Sequence, residues 1–187
     1  MTLPVRLTHH DARSRRLATL LAICALALLA TPAASRAEVI ARGPTGFQLR
    51  YAVSSPLPPQ AAYERFLAIG RWWSDAHTYS GQASALRIDP VPGGCWCETL
   101  PNAGGVRHMT VAFVLPGKSL LFEGGLGPLL SMGVHGAMSV GFKPRDAGSD
   151  IAVTYNVSGF APADMEKMAG LVDQVLTEQL GRFAAQR

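Results

Sequence analysis

The sequence predicts an α+β domain with its helices on one face of a curved antiparallel sheet. Three observations carry this. From Ala83 to Phe160 the chain is a run of about six β-prone segments separated by tight turn residues. Ahead of that run stand one alternating strand and two short helical segments. Behind it the chain closes with a single long amphipathic helix.

The first 37 residues are expected to lie outside the domain. Arg13, Arg15 and Arg16 precede Leu17–Ala30, an apolar run of about 14 residues broken only by Thr19. Ser35-Arg36-Ala37 sets small residues at the two positions a signal peptidase reads, so a secretory signal cleaved after Ala37 is expected. The run is shorter than the roughly 20 residues of a membrane-spanning helix, and an uncleaved anchor is the alternative. Ser14-Arg15-Arg16-Leu17 resembles half of a twin-arginine signal, so either export route is open. The leader holds five arginines and one aspartate, which accounts for the whole net charge of +4. The remaining residues, 38–187, carry 12 basic and 12 acidic side chains. A neutral body without a basic run has no footprint for nucleic acid or an anionic membrane. About 150 residues fit one domain, and once the leader with Cys24 is gone only Cys95 and Cys97 remain.

Glu38 to Gly43 reads as a short disordered lead-in. Phe47 to Val53 alternates apolar and polar and predicts a strand with one buried face. Ser54 to Pro59 carries three prolines, which suit a helix start, and the helix is expected over Ala61–Ile69 with Tyr63, Phe66 and Leu67 on one side. A second short helix is expected from Arg71 to near Ser80-Gly81. Strands follow at Leu86–Asp89, at Cys95–Leu100 with return strand Val106–Leu115, at Ser119–Gly124, at Val134–Lys143 and at Asp150–Gly159. The loop Gly124–Gly133 is glycine-rich and apolar, which suits a lid. The closing helix carries Met165, Met168, Val172, Val175, Leu176, Leu180 and Phe183 at three- and four-residue spacing, a stripe wide enough to lie on a sheet. Gly170 and Gly181 inside it read as points of close approach.

The hairpin Gly94–Leu115 carries the most chemical pattern. A turn at Pro101–Gly105 pairs Leu100 with Val106 and so sets Glu98 opposite His108, within side-chain reach. The two could act as general acid and base. On an unbroken strand Met109, Val111 and Phe113 share the core face, and His108 falls with Thr110 on the outer one, where a cross-strand pair is only a surface pair. A two-residue turn at Pro116-Gly117 pairs Thr110 with Glu123, and His135 follows nearby. Glu98, His108, Glu123 and His135 then form one polar patch that could hold a divalent metal or move protons. No metal and no cofactor is assigned. Cys95 and Cys97 are expected as free thiols facing the sheet interior, because a bridge across one residue of an extended strand is strained. Trp72 and Trp73, if helical, point about 100° apart, so that one packs and the other is free to stand at a cavity mouth with His77 and Tyr79. No serine or cysteine has a nucleophile motif and no glycine run has phosphate-loop spacing.

The element order, the Trp72-Trp73 pair after the first helix, the Gly93-Gly94…Glu98 strand start and the closing helix together resemble the START-like (SRPBCC) superfamily. This group includes birch-pollen-allergen and polyketide cyclase/dehydrase-like proteins, and the resemblance covers nearly all of Gly46 to Phe183. It implies a helix-grip fold, in which the sheet wraps the C-terminal helix around an apolar cavity. It implies a binder of a lipid, polyketide or similar hydrophobic small molecule, which the leader would place in the periplasm or outside the cell. Alternatives are a cyclase or dehydratase using Glu98 and His108, or a non-catalytic protein-interaction module. The resemblance offers Met109, Val111, Phe113, Met138 and Tyr155 as cavity wall on the strands. Off the strands it offers Trp72, Trp73, Tyr79, Met132, Phe160, Met168 and Val172. Neither nucleic acid nor stable membrane insertion after cleavage is expected.

Overall fold

The computed structural model describes residues 36–161 and 164–185; the proposed leader lies almost wholly outside them. Strands β1 (Arg36–Gly43) and β2 (Gly46–Ser55) form a first hairpin. Helix α1 (Pro59–Leu67) and three single 3-10 turns lead to β3 (Leu86–Ile88), β4 (Cys95–Thr99), β5 (Gly105–Leu115), β6 (Ser119–Glu123), β7 (His135–Arg145) and β8 (Gly148–Ser158). Helix α2 (Met165–Ala185) closes the chain. The strands make one antiparallel sheet in the order β1-β2-β8-β7-β6-β5-β4-β3. The chain thus crosses from β2 to the far edge and meanders back until β8 pairs along β2, from Gly46↔Ser158 to Ser55↔Ser149. This is an α+β, helix-grip-like fold. Among the described residues no helix is long and apolar enough to cross a membrane.

The alternating strands bury what their pattern predicts. Leu49, Tyr51 and Val53 of β2 and Ile151, Val153, Tyr155 and Val157 of β8 all face the core. Phe66 of α1 sits at the centre of an aromatic cluster with Trp72, Phe122, Phe142 and Phe183, ring centroids 5.4 to 6.3 Å away. Each such side chain contributes roughly 1.5–3 kcal/mol by leaving water. Helix α2 buries Met165, Ala169, Val172, Leu176, Gln179, Leu180 and Phe183 and packs on β1 and β2. Tyr51 ties strand to helix by donating to Asp173 at 2.9 Å.

Four expectations about the elements are corrected. Glu38–Gly43 is no loose lead-in but most of edge strand β1, paired with β2 from Arg36↔Ala52 to Gly43↔Gly46. Val39, Ala41 and Arg42 are exposed, so no alternation marks the strand and its order comes from backbone pairing. Helix α1 starts two residues earlier than expected, at Pro59, and ends at Leu67. The expected second helix is two separate 3-10 turns, Ile69–Arg71 and Asp75–His77. Gly170 and Gly181 are not close approaches, since a Cβ at either would meet open space.

Candidate functional site: an apolar cavity with a buried carboxylate–imidazole pair

The site is set by two bulges in β5. Its pairing with β4 runs Thr99↔Gly105, Glu98↔Val106 and Cys97↔Arg107, then jumps to Trp96↔Met109. The expected register, Leu100 with Val106, is therefore off: Leu100 N–H bonds Gly104 O, inside a turn with Asn102 and Ala103 at positive φ. His108 is the extra residue of the first bulge. A bulge puts two residues against one and re-aims a side chain. Here it turns both His108 and Met109 inward. The second bulge falls between Val111 and Phe113 and returns the strand to the opposite phase, so Phe113 is 48% exposed instead of walling the core.

Glu98 and His108 are consequently not a surface pair. Both are buried, at 1% and 5% exposure, with His108 Nε2 3.0 Å from Glu98 Oε2. Glu98 also accepts the backbone N–H groups of Tyr79, on Oε2 at 3.1 Å, and Ser80, on Oε1. Burial pushes its carboxyl pKa up, but the hydrogen bonds from Ser80, Tyr79 and His108 together outweigh this and hold it below the usual glutamate value. Burial pulls the His108 imidazole below the ordinary histidine value, only partly offset by Glu98. The pair is thus carboxylate and neutral imidazole.

The four-residue polar patch does not assemble. Thr110 does pair with Glu123, but Glu123 and His135 both point to the exposed face. The bulge separates His108 from the phase that Thr110 and Glu123 share. Among the described residues no three His, Cys, Asp or Glu side chains come together as a metal site. Cys95 and Cys97 form a disulfide, so free thiols are corrected. Their Cα atoms stand 5.3 Å apart, within the range a bridge requires. They lie half-buried on the outer face, because Trp96 and Glu98 take the inner one.

The cavity opens where the sheet parts from α2, on the side of β3–β5. Its volume is about 390 Å³. Trp96, Leu86 and His108 line the sheet side, and Met168, Leu171, Val172, Val175 and Leu176 the helix side. Trp73 stands edge-on to Trp96, centroids 5.3 Å apart, and makes an aromatic corner. The rim is Ala76 to Tyr79 on one side and Leu126–Pro128 on the other. Tyr79 bridges the rim by donating its hydroxyl to Gly127 O at 3.2 Å. His77 pairs with Glu178 at 3.0 Å. Tyr155, whose phenol burial pushes up to about 12, accepts Leu126 N–H and donates to Gly124 O; it anchors the base of this loop.

Of the residues expected around a cavity, Trp73, His77, Tyr79, Met168 and Val172 line it, and the bulge adds His108 to them. Trp72 does not: both tryptophans are buried, because they follow a 3-10 turn instead of sharing one helix, and Trp72 packs on Phe66 and Phe183. Met109, Val111, Met138 and Tyr155 are solid core, Met132 is half-buried away from the cavity, and Phe160 is 89% exposed. The main wall residue missed is Trp96. Its spacing of two from Glu98 was the available signal, masked by the cysteines on either side.

No family model matches the chain, and no curated protein does. Solved structures share the fold. A Rhodobacter sphaeroides protein superposes with TM-score 0.53 at 13% identity, covering 79% of this chain and 95% of that one. Protein MLL2253 from Mesorhizobium loti gives 0.52 at 15% identity, covering 73% and 93%. Protein EF2215 from Enterococcus faecalis, described as a conserved protein of unknown function, gives 0.51 at 11% identity, covering 80% and 74%.

Proposed function

We propose that this chain is an exported START-like protein that binds a hydrophobic small molecule between its sheet and C-terminal helix. The observation that carries the reading is the cavity: about 390 Å³, walled by Trp73, Trp96, Leu86, Met168, Val172 and Leu176, within the usual size range of small-molecule sites. The element order supports the family reading. The Arg-flanked apolar leader supports export to the periplasm or beyond, and a disulfide suits an oxidising compartment. Cleavage after Ala37 removes only Arg36 and Ala37 from β1. The test is calorimetric titration of residues 38–187 with an apolar dye, then displacement by fatty acids and polycyclic aromatics. Tight, saturable binding at one site is expected; no binding across the panel refutes it.

A second reading rests on the Glu98–His108 pair. A carboxylate that orients a neutral imidazole at a cavity wall is the arrangement of a general base, and a cyclase or dehydratase step would use it. On that reading His108→Ala abolishes turnover of a bound polyketide-like substrate and leaves its affinity unchanged. Equal turnover in the variant removes the reading.

A further inference from the structure

Polar side chains at the rim and corner of the cavity have hydrogen-bond partners. Thr78 donates to Asp75 O, Tyr79 to Gly127 O, and Trp73 Nε1 to His77 O. Among the described residues two buried side-chain polar atoms have no partner, His108 Nδ1 and Gln179 Nε2, and of these residues only His108 lines the cavity.

The chemistry of that atom follows from its neighbours. The Glu98 carboxylate accepts N–H groups on both oxygens and has no proton to give, so His108 must donate through Nε2. A neutral imidazole with its proton on Nε2 carries a bare lone pair on Nδ1. The tautomer is thus set by Glu98, as second-layer carboxylates set that of metal-bound histidines. His108 lines the cavity with Trp96, Leu86 and the apolar face of α2, and the Tyr79 ring is tilted beside its imidazole, ring centroids 5.8 Å apart. Buried acceptors in folded proteins are paired with few exceptions, and an exception calls for an explanation.

We propose that the ligand of this cavity is a hydroxylated apolar molecule, a phenol or alcohol, whose O–H donates to His108 Nδ1 while its hydrocarbon body fills the space between Trp73, Trp96 and α2. This rests on the cavity being a ligand site. It adds a rule of selection: a site built to accept a hydroxyl proton discriminates against an isostere that lacks it, because its own polar group is then left buried and unpaired.

Three probes of one shape test this on the wild-type protein: 2-naphthol, 2-methoxynaphthalene and 2-methylnaphthalene, titrated calorimetrically. The naphthol is expected to bind roughly threefold to tenfold more tightly than the other two, the yield of one net hydrogen bond. In His108→Phe the three affinities should converge. Nitrogen NMR provides a readout free of any variant. His108 Nδ1 should resonate as an unprotonated nitrogen in the free protein and shift with naphthol but not with the methyl ether. A methyl ether that binds as tightly as naphthol, or an Nδ1 that carries the proton, overturns the inference and leaves the apolar site standing. If none of the three binds, the ligand-site reading itself falls.

Discussion

Glu98→Gln separates a buried clamp from an incidental ion pair. The substitution keeps the side chain's volume and shape, so no void is opened. It replaces an acceptor-only group by one acceptor and one two-proton donor. In the wild type Oε1 takes Ser80 N–H, and Oε2 takes both Tyr79 N–H and His108 Nε2–H. However the amide is turned, its NH₂ faces a backbone N–H of Tyr79 or Ser80, and that donor loses its acceptor. A buried donor left unsatisfied costs about 1–3 kcal/mol, and hydrogen bonds to a charged group are worth about 1.5–3 kcal/mol each. These overlap, and about 2–3 kcal/mol is expected. For a domain of this size that is a fall in melting temperature of roughly 4–12 °C. Thermal and urea unfolding followed by circular dichroism read it directly, and the urea slope should be unchanged because the surface exposed on unfolding is the same. A variant melting within about 1 °C of wild type, below the shift that 1 kcal/mol gives, refutes the claim that Glu98 holds the 79–80 segment.

Other outcomes follow from the same geometry. Both members of the pair have folded-state pKa values below their ordinary ones, so the unfolded chain binds protons that the folded chain does not. Stability should therefore decline as pH falls below the ordinary histidine value of 6.5, and decline further below the glutamate value of 4.5; urea midpoints across pH 3–8 check this, and His108→Phe should lose the upper limb. Val175→Trp projects an indole from the half-buried helix side of the cavity and should weaken probe binding at least about tenfold, the equivalent of 1.4 kcal/mol, while the melting temperature stays near wild type. Gly136→Ala places a methyl against Gly124 O and the Tyr155 ring, an overpacking of about 1–3 kcal/mol visible in the same melts. Residues 38–187 should show no titratable thiol before reduction and two afterwards, by thiol titration.

How much of this was legible in the sequence depends on range. Elements with their own periodicity could be read: the alternation in β2 and β8, the stripe on α2, the turn that makes β4 and β5 a hairpin. Each is a local consequence of which face is buried. Glu98 and His108 could be seen as partners because the hairpin sets their strands side by side. Which way they face could not be read. One inserted residue reverses every side chain beyond it, and the two bulges of β5 leave no mark in composition. That reversal is why Phe113 moved out, His108 moved in and Glu123 lost its supposed partners. β1 escaped for another reason: its exposed side chains show no buried face, and pairing with β2 alone orders it. The disulfide escaped because a fully extended strand was assumed between Cys95 and Cys97, whereas their Cα atoms stand 5.3 Å apart.

The bulge at His108 links three parts of the cavity that are remote in sequence. By turning His108 inward it brings Nε2 to Glu98, and Glu98 holds the backbone of Tyr79 and Ser80. Tyr79 in turn reaches Gly127 across the mouth. The group that faces the interior, the carboxylate that sets its tautomer, and the latch on the rim are therefore one chain of hydrogen bonds. Such a chain is not the sum of its pairs, since each member fixes the geometry of the next.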